Sequence, residues 1–278
     1  MTASGARFAG TAKWIAAARA RESARPDRLF DDPFAAALAG EAGVEFLARS
    51  EAASGGENPF LPIRTRYFDD LLLNGAARQI VLLGAGLDTR AYRLPLSDGT
   101  RIFELDRGEV LEEKERILTA ANAIAQSICH AVAVDLTGSW MEPLVAAGFD
   151  SSRPSTWIAE GLLFYLSGEQ VRSLLECARK LSASESVFAA DVFGTGLLGQ
   201  LQIQPYLRWL ESERQPSPFC TDEAAGFFAD CGWAPAKISE PGQPDANYGR
   251  LPLRGPGEGT NRVYLVSAST HELKAIDL

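Results

Sequence analysis

The sequence predicts an α/β fold, a largely parallel sheet with helices on both faces and an antiparallel hairpin at its end, in a chain of 278 residues. Three observations carry this. A short apolar run, Ile80–Leu83, stops at Gly84-Ala85-Gly86, as a buried parallel strand stops at a ligand-binding turn. Strand-like and helix-like runs alternate after it, which is the pattern of βαβ units. Acidic residues stand at the ends of successive strand-like runs.

Taken in order, TAKWIAAARARE (11–22) is alanine-rich with Trp14, Ile15 and Ala18 at helical spacing, and Arg25-Pro26 breaks it. Asp32-Pro33 opens a second helix over Phe34–Ala39, because proline is tolerated in a first turn. Glu41–Ser50 also reads as helix, and SGGENP (54–59) as loop. A helix over Ile63–Asn74 gathers Phe68, Leu71 and Leu72 on one face and carries Arg64 and Arg66 near its start. All of this precedes the first strand, so residues 1–77 are expected to cap one edge of the sheet.

Further strands are expected over Arg101–Leu105, Ser127–Val134, Ser155–Ala159 and Ser186–Ala190, ending at Asp106, Asp135, Glu160 and Asp191. Helices over 107–121, 141–147 and 167–181 connect them. In the last of these Ser167 serves as N-cap, with Glu169 and Gln170 in the first turn. Residues 78–193 are thus the expected core. Gly194–Cys220 is rich in glycine, proline and aromatic residues without a strand pattern, and 194–222 is expected to be a lid insertion. A helix over Thr221–Cys231 follows, then strands over Ala234–Ser239 and Arg262–Ala268. The last two strands are joined without a helix and should pair antiparallel, completing a C-terminal part over 223–278.

Composition narrows the partners. With 27 Lys and Arg against 36 Asp and Glu, the net charge of −9 argues against nucleic acid, which needs a basic face. No apolar run reaches membrane-spanning length, and MTASGARFAG lacks the apolar stretch of a secretion signal. Cys129, Cys177, Cys220 and Cys231 show no CxxC pairing and no nearby histidine, so no metal site is indicated and reduced, cytoplasmic thiols are expected.

The glycine loop narrows the cofactor. A dinucleotide fingerprint places a third Gly or Ala three residues after Gly86, where this chain has Thr89, and Asp88 beside the loop would repel a diphosphate. S-adenosyl-L-methionine (SAM) has no phosphate and carries a sulfonium cation, which suits an acidic glycine loop. A carboxylate ending the second strand can accept both ribose hydroxyls, so Asp106 is the expected ribose ligand. Asp135 and Leu136 suit adenine, one for the exocyclic amine and one for the ring face. An Asp at a strand end also commonly caps the next helix, and that reading stands beside the functional one for each acid taken singly.

The segments LGAGLDTRAYRL, FELDR, VDL and WIAEGLLFYLS, with TAKWIAAARARES, RLFDDPFA and IRTRYFDD before them, resemble the leucine carboxyl methyltransferase family in its bacterial SAM-dependent branch. The resemblance covers nearly the whole chain. It implies a class I SAM-methyltransferase fold, a Rossmann-like sheet of seven strands with the last antiparallel. It also implies that Gly84 and Gly86 lie under the methionine part of SAM, with Asp106 on the ribose and Asp135 and Leu136 flanking the adenine. Glu160 would meet the amino end, and Arg64, or else Arg66, the SAM carboxylate.

The expected reaction is methylation of the carboxylate of a small hydrophobic, polyketide- or peptide-like natural product. Neither histidine suits a general base: His130 sits at the start of its strand and His271 in the tail. A carboxylate needs no base, since it is ionised above a pKa of about 4. Tyr165, Tyr206, Arg208, Trp209 and Arg90 are the candidates for positioning the acceptor, and Asp191 or Tyr165 could assist a hydroxyl. Competing readings are a phenolic or enolic hydroxyl acceptor, a peptide or protein C-terminal carboxylate, and an inactive SAM-binding regulator. An NAD(P) oxidoreductase is disfavoured by Asp88 and Thr89. Oligomeric state is not legible.

Overall fold

The structure, a computed structural model, describes residues 3–201, 204–212, 217–255 and 262–270. Seven strands form one sheet: β1 (Gln79–Leu83), β2 (Arg101–Asp106), β3 (Ile128–Ala133), β4 (Thr156–Ala159), β5 (Val187–Phe193), β6 (Ala236–Ser239) and β7 (Val263–Ser269). Their order is β3-β2-β1-β4-β5-β7-β6, with β7 antiparallel to both β5 and β6 and the first five strands parallel. Order reverses direction between β1 and β4. Ligands of open α/β sheets bind beyond the strand ends at such a reversal.

Strand β1 shows why its residues are all apolar. Val81 and Leu83 face one core with Phe103, Trp157 and Phe188, while Ile80 and Leu82 face another with Phe68, Ile102 and Ile158. Side chains alternate across a strand, so burial of both faces requires a continuous apolar run. The second core is closed by the helix α3 (Phe60–Asn74), through Ile63, Tyr67, Phe68 and Leu72. This lays the Arg64 turn of α3 across the tips of β4 and β5. No helix among the described residues is long and apolar enough to cross a membrane.

Two N-terminal helices, α1 (Ala3–Ser23) and α2 (Ala35–Ser54), pack through Ala16, Ala17, Ala18, Leu38, Ala39 and Leu47. The two helices expected over 34–50 are one element interrupted at Gly40, whose φ of 56° and ψ of −176° are not helical. It continues to Ser54, where Gly55 ends it in the left-handed region favoured by glycine. Helix α3 starts three residues ahead of expectation, because the Asn58 side chain accepts a hydrogen bond from the Phe60 N–H and Pro62 fits the first turn.

The remaining helices are α4 (Arg90–Arg93), α5 (Gly108–Ala120), α6 (Met141–Ala146), α7 (Gly168–Lys180), α8 (Gln204–Ser212) and α9 (Ala224–Asp230). The cap of α7 is a reciprocal box between Ser167 and Gln170, as its sequence predicts. Two of the shifts from the expected boundaries have a visible cause. Strand β5 runs on past Asp191 to Phe193, because β7 continues to pair with it there. Helix α9 begins at Ala224 and not Thr221, since the Thr221 hydroxyl accepts from the Glu223 N–H in a tight turn.

Candidate functional site

The chain leaves β1 through Gly84 and Gly86, with φ of 65° and 51°, a conformation that glycine adopts without strain. A Cβ on Gly84 would lie 2.9 Å from the Leu162 side chain, so the loop after β4 sits directly on the loop after β1. On the other side, the Gly86 N–H donates to Asp106 Oδ2 at 2.7 Å, tying the same loop to the end of β2. The Arg107 N–H donates to Asp106 Oδ1, also at 2.7 Å. Burial pushes the Asp106 carboxyl above its ordinary range despite these two bonds.

Asp135 follows β3, next to the tip of β2, since the Val134 N–H donates to the Asp106 carbonyl. Its Oδ1 accepts from the N–H and the hydroxyl of Thr137, and these bonds hold its carboxyl below the usual range. These bonds close a local turn after β3; they do not cap α6, whose N-cap, Trp140, carries no side-chain cap bond. Leu136 is half-buried against the main core.

Glu160 ends β4 and belongs to a long chain of ion pairs. Arg19 pairs with Asp32 at 2.8 Å, and Asp32 meets Arg93 at 4.0 Å. Arg93 pairs with Asp69 at 2.6 Å, Asp69 with Arg90 at 2.7 Å, and Arg90 with Glu160 at 2.7 Å. Arg64 then bridges Glu160 at 3.1 Å and Asp191 at 3.0 Å, while Asp88 branches from Arg90. Charges alternate along α1, the segment before α2, α3, α4, β4 and β5. Carboxylates outnumber guanidiniums by one (Asp32, Asp69, Asp88, Glu160 and Asp191 against Arg19, Arg64, Arg90 and Arg93).

That surplus surfaces beside the glycine loop. Asp32, Asp69 and Asp191 have side chains at most 3% exposed, whereas Glu160 keeps 14% and Asp88 15%. Burial raises the Glu160 pKa, but Arg90 and Arg64 outweigh it and hold the carboxyl below its ordinary range. Burial pushes the Asp88 carboxyl up, but the Arg90 guanidinium outweighs it and holds it down at about 2. Both acids are therefore anionic at neutral pH. Asp191 Oδ1 also accepts from the Gly161 N–H at 2.6 Å. Gly161 has φ 64°, and a Cβ there would lie 2.9 Å from Arg64 Nη1.

Residues 12–179 match the family described as leucine carboxyl methyltransferase. The chain belongs to the leucine carboxyl methyltransferase family. A candidate SAM-dependent methyltransferase of Parafrankia sp. is 44% identical over 189 residues, which span 64% of this chain and 60% of that one. Another from Frankia alni is 41% identical over 254 residues, or 82% of each chain. The crystal structure of a candidate methyltransferase from Thermobifida fusca superposes with a TM-score of 0.56 at 18% identity, covering 83% of this chain and 88% of that one. That likeness shows the shared fold, a class I methyltransferase sheet.

Within this family member, the structure gathers Gly84, Gly86, Asp106, Glu160 and Arg64 around the reversal between β1 and β4, with Asp135 and Leu136 at the neighbouring tip. Other expected site residues are placed differently. Arg66 pairs with Asp70 at 2.8 Å and donates to the Leu29 carbonyl, turned away from Glu160. Arg90 is 1% exposed inside the ion chain, so it is not an acceptor ligand. Asp88 is paired with Arg90, so it does not by itself repel a diphosphate; the surplus charge of the whole chain does. Tyr165 lies within electrostatic reach of Arg64. Arg208 is exposed on α8, and the side chains of Tyr206 and Trp209 lie outside the described residues, as does His271. His130 stacks on Phe103 with ring centroids 4.9 Å apart, in the middle of β3 and not at its start.

Sequence reasoning missed Asp32, Asp69, Arg93 and Gly161. All four lie inside or beside the family segments, RLFDDPFA, IRTRYFDD, LDTRAYRL and IAEG, and that clustering was the available signal.

Proposed function

We propose that the chain is a SAM-dependent O-methyltransferase whose acceptor is the carboxylate of a small hydrophobic, polyketide- or peptide-like molecule. The observation that carries the cofactor assignment is the surplus carboxylate charge emerging at Glu160 and Asp88 beside Gly84 and Gly86. SAM combines a carboxylate, an ammonium and a sulfonium, for one net positive charge, and so complements it. Bound SAM supplies an electrophilic methyl group. The names of the relatives support the same reading.

The residues present fit such a ligand. Asp106 accepts two backbone N–H bonds, and a carboxylate offers about four lone-pair sites, so two remain for vicinal hydroxyls. Arg64 commits Nε and Nη1 to Glu160 and Asp191, which leaves Nη2 as the donor for a ligand carboxylate. Glu160 serves an ammonium group. Asp135, through Oδ2, and Leu136 serve the base.

A carboxylate acceptor is favoured because the site offers no strong base among the described residues. Both oxygens of Asp191 are engaged, by Arg64 and by the Gly161 N–H. Glu160 has a lowered pKa, and His130 is committed to the stack on Phe103. A phenol near pKa 10 benefits from a general base, whereas a carboxylic acid is ionised already. The chain's contribution is then to orient the acceptor and exclude water. The test is the fate of the transferred methyl group under mild alkali. A methyl ester releases methanol, as expected here; an alkali-stable methyl ether would replace the carboxylate by a hydroxyl acceptor.

A further inference from the structure

We infer that the hydrogen bond from Thr89 to Asp32 positions the cofactor loop, so that the N-terminal helices help to set the seat of SAM. The inference rests on the SAM reading above and adds the residues that hold its site in shape. Thr89 stands three residues after Gly86, where a dinucleotide fingerprint has a small residue that lets helix and strand pack closely. Here the position is filled by a hydroxyl side chain, and the residue is 1% exposed.

The bonds of that hydroxyl are unusual for its place. Thr89 is the N-cap of α4, and a threonine there commonly accepts from the second or third N–H of its helix. Thr89 makes no such bond. Asp88 Oδ1 takes the Arg90 N–H at 2.7 Å, and the Thr89 hydroxyl donates to Asp32 Oδ2, also at 2.7 Å. It accepts in turn from Arg93 Nε at 3.2 Å. Asp32 is fixed from its own side. Its Oδ1 accepts from the Phe34 N–H at 3.2 Å, its N–H donates to Ser23 Oγ at 2.9 Å, and Oδ2 pairs with Arg19.

The same arginine reaches the loop a second time, Arg19 Nη2 donating to the Leu87 carbonyl at 2.6 Å. The buried Leu87 side chain lies in the cluster built by α1 and α2 and in neither core of the sheet. The loop is thus divided between two anchorages. Gly84 and Ala85 are tied to the sheet, their N–H groups donating to the Leu105 carbonyl at 2.9 and 3.1 Å. Leu87 and Thr89 are tied to the N-terminal helices. Gly86, whose N–H holds Asp106, lies between them, so a shift of the N-terminal anchorage moves the partner of the ribose carboxylate. Stability alone is a weak reason to bury the Arg19–Asp32 pair, since apolar side chains of similar volume often serve as well. Directed bonds fix the position of the loop in a way that non-directional apolar contacts do not.

Asp32 carries too many bonds for a clean substitution, so Thr89 is the residue to vary. Thr89→Val removes the hydroxyl at nearly constant shape, and Thr89→Ser keeps it. Ser155→Ala is the control, deleting a buried hydroxyl that donates to Ser186 Oγ just before β4 and β5, at the end of the sheet away from the loop. The full chain is titrated with S-adenosylhomocysteine (SAH) by calorimetry, and amide hydrogen exchange is followed over 84–90, at a temperature where every variant is folded. Thr89→Val should weaken SAH about tenfold, the scale of a lost bond to a charged group, and speed exchange over 84–90 by a similar factor. Thr89→Ser should stay within about threefold of the parent in both. Ser155→Ala should lower the melting temperature and move neither. A Thr89→Val variant that loses melting temperature but keeps parental SAH affinity and loop exchange would overturn the inference. So would equal effects of Thr89→Val and Ser155→Ala on SAH. Failure of the parent to bind SAH would instead remove the cofactor assignment. Loop exchange then decides alone: faster exchange in Thr89→Val upholds the anchorage, and unchanged exchange overturns it.

Discussion

Replacing Arg64 by methionine tests whether the ion chain is both scaffold and ligand site. Arg64 and Asp191 have side chains 6% and 0% exposed, and Arg64 is the only cation paired with Asp191 among the described residues. After Arg64→Met, Glu160 still has Arg90, but Asp191 keeps only the Gly161 N–H. Removing one partner of a buried pair costs about 3–5 kcal/mol, because a charge is left without compensation. For a domain of this size that lowers the melting temperature by roughly 6–20 °C, at about 2–4 °C per kcal/mol. Asp191→Asn added to Arg64→Met removes the stranded charge and keeps an acceptor for Gly161. The double variant should therefore recover most of the loss, a coupling of at least about 2 kcal/mol by urea denaturation. SAH affinity should stay lost in the double variant, since the ligand's carboxylate still lacks its guanidinium. Additivity within about 0.5 kcal/mol would refute the pairing argument. Full return of SAH binding would refute the ligand role.

Gly161→Ala should lower the melting temperature and weaken SAH, because its left-handed φ costs about 1–2 kcal/mol and its Cβ would press on an Arg64 held at both ends. Gly99→Ala, at φ 73° in open space, is the control; equal effects of the two substitutions would contradict this. Acid should act through the same network. Asp88 at about 2, and Glu160 and Asp32 also lowered, have folded pKa values below those of the unfolded chain. Their stabilisation is complete above the ordinary carboxylate range near 4 and is lost as pH falls through the folded values, near 2 for Asp88. The stability gap between the parent and Arg90→Met should thus narrow as pH drops from about 5 towards 2. A gap that widens in acid would contradict the sign.

What was legible in the sequence was what local pattern records. Alternating burial makes β1 a continuous apolar run, the glycines mark its turn, and the acids at strand ends fall at a crevice the topology requires. Ser167 and Gln170 announce the cap of α7 by spacing alone. The ion chain was not legible, because its pairs join residues 96 and 127 positions apart, as Arg64 is from Glu160 and Asp191. Arg90, two residues from Asp88, reads locally as a loop cation free to meet a ligand; only the arrival of Asp69 and Glu160 buries it.

The account depends most directly on a nucleoside sulfonium being the ligand at the β1–β4 crevice. Calorimetric titration of SAM and of NAD into the full chain, repeated with Asp106→Ala, measures this. SAM should bind one to one with a dissociation constant on the order of micromolar, and NAD should give no heat. Asp106→Ala should weaken SAM by more than about 1 kcal/mol, the scale of a lost charge-assisted hydrogen bond. Tight binding of NAD with none of SAM, or SAM affinity indifferent to Asp106, would contradict it.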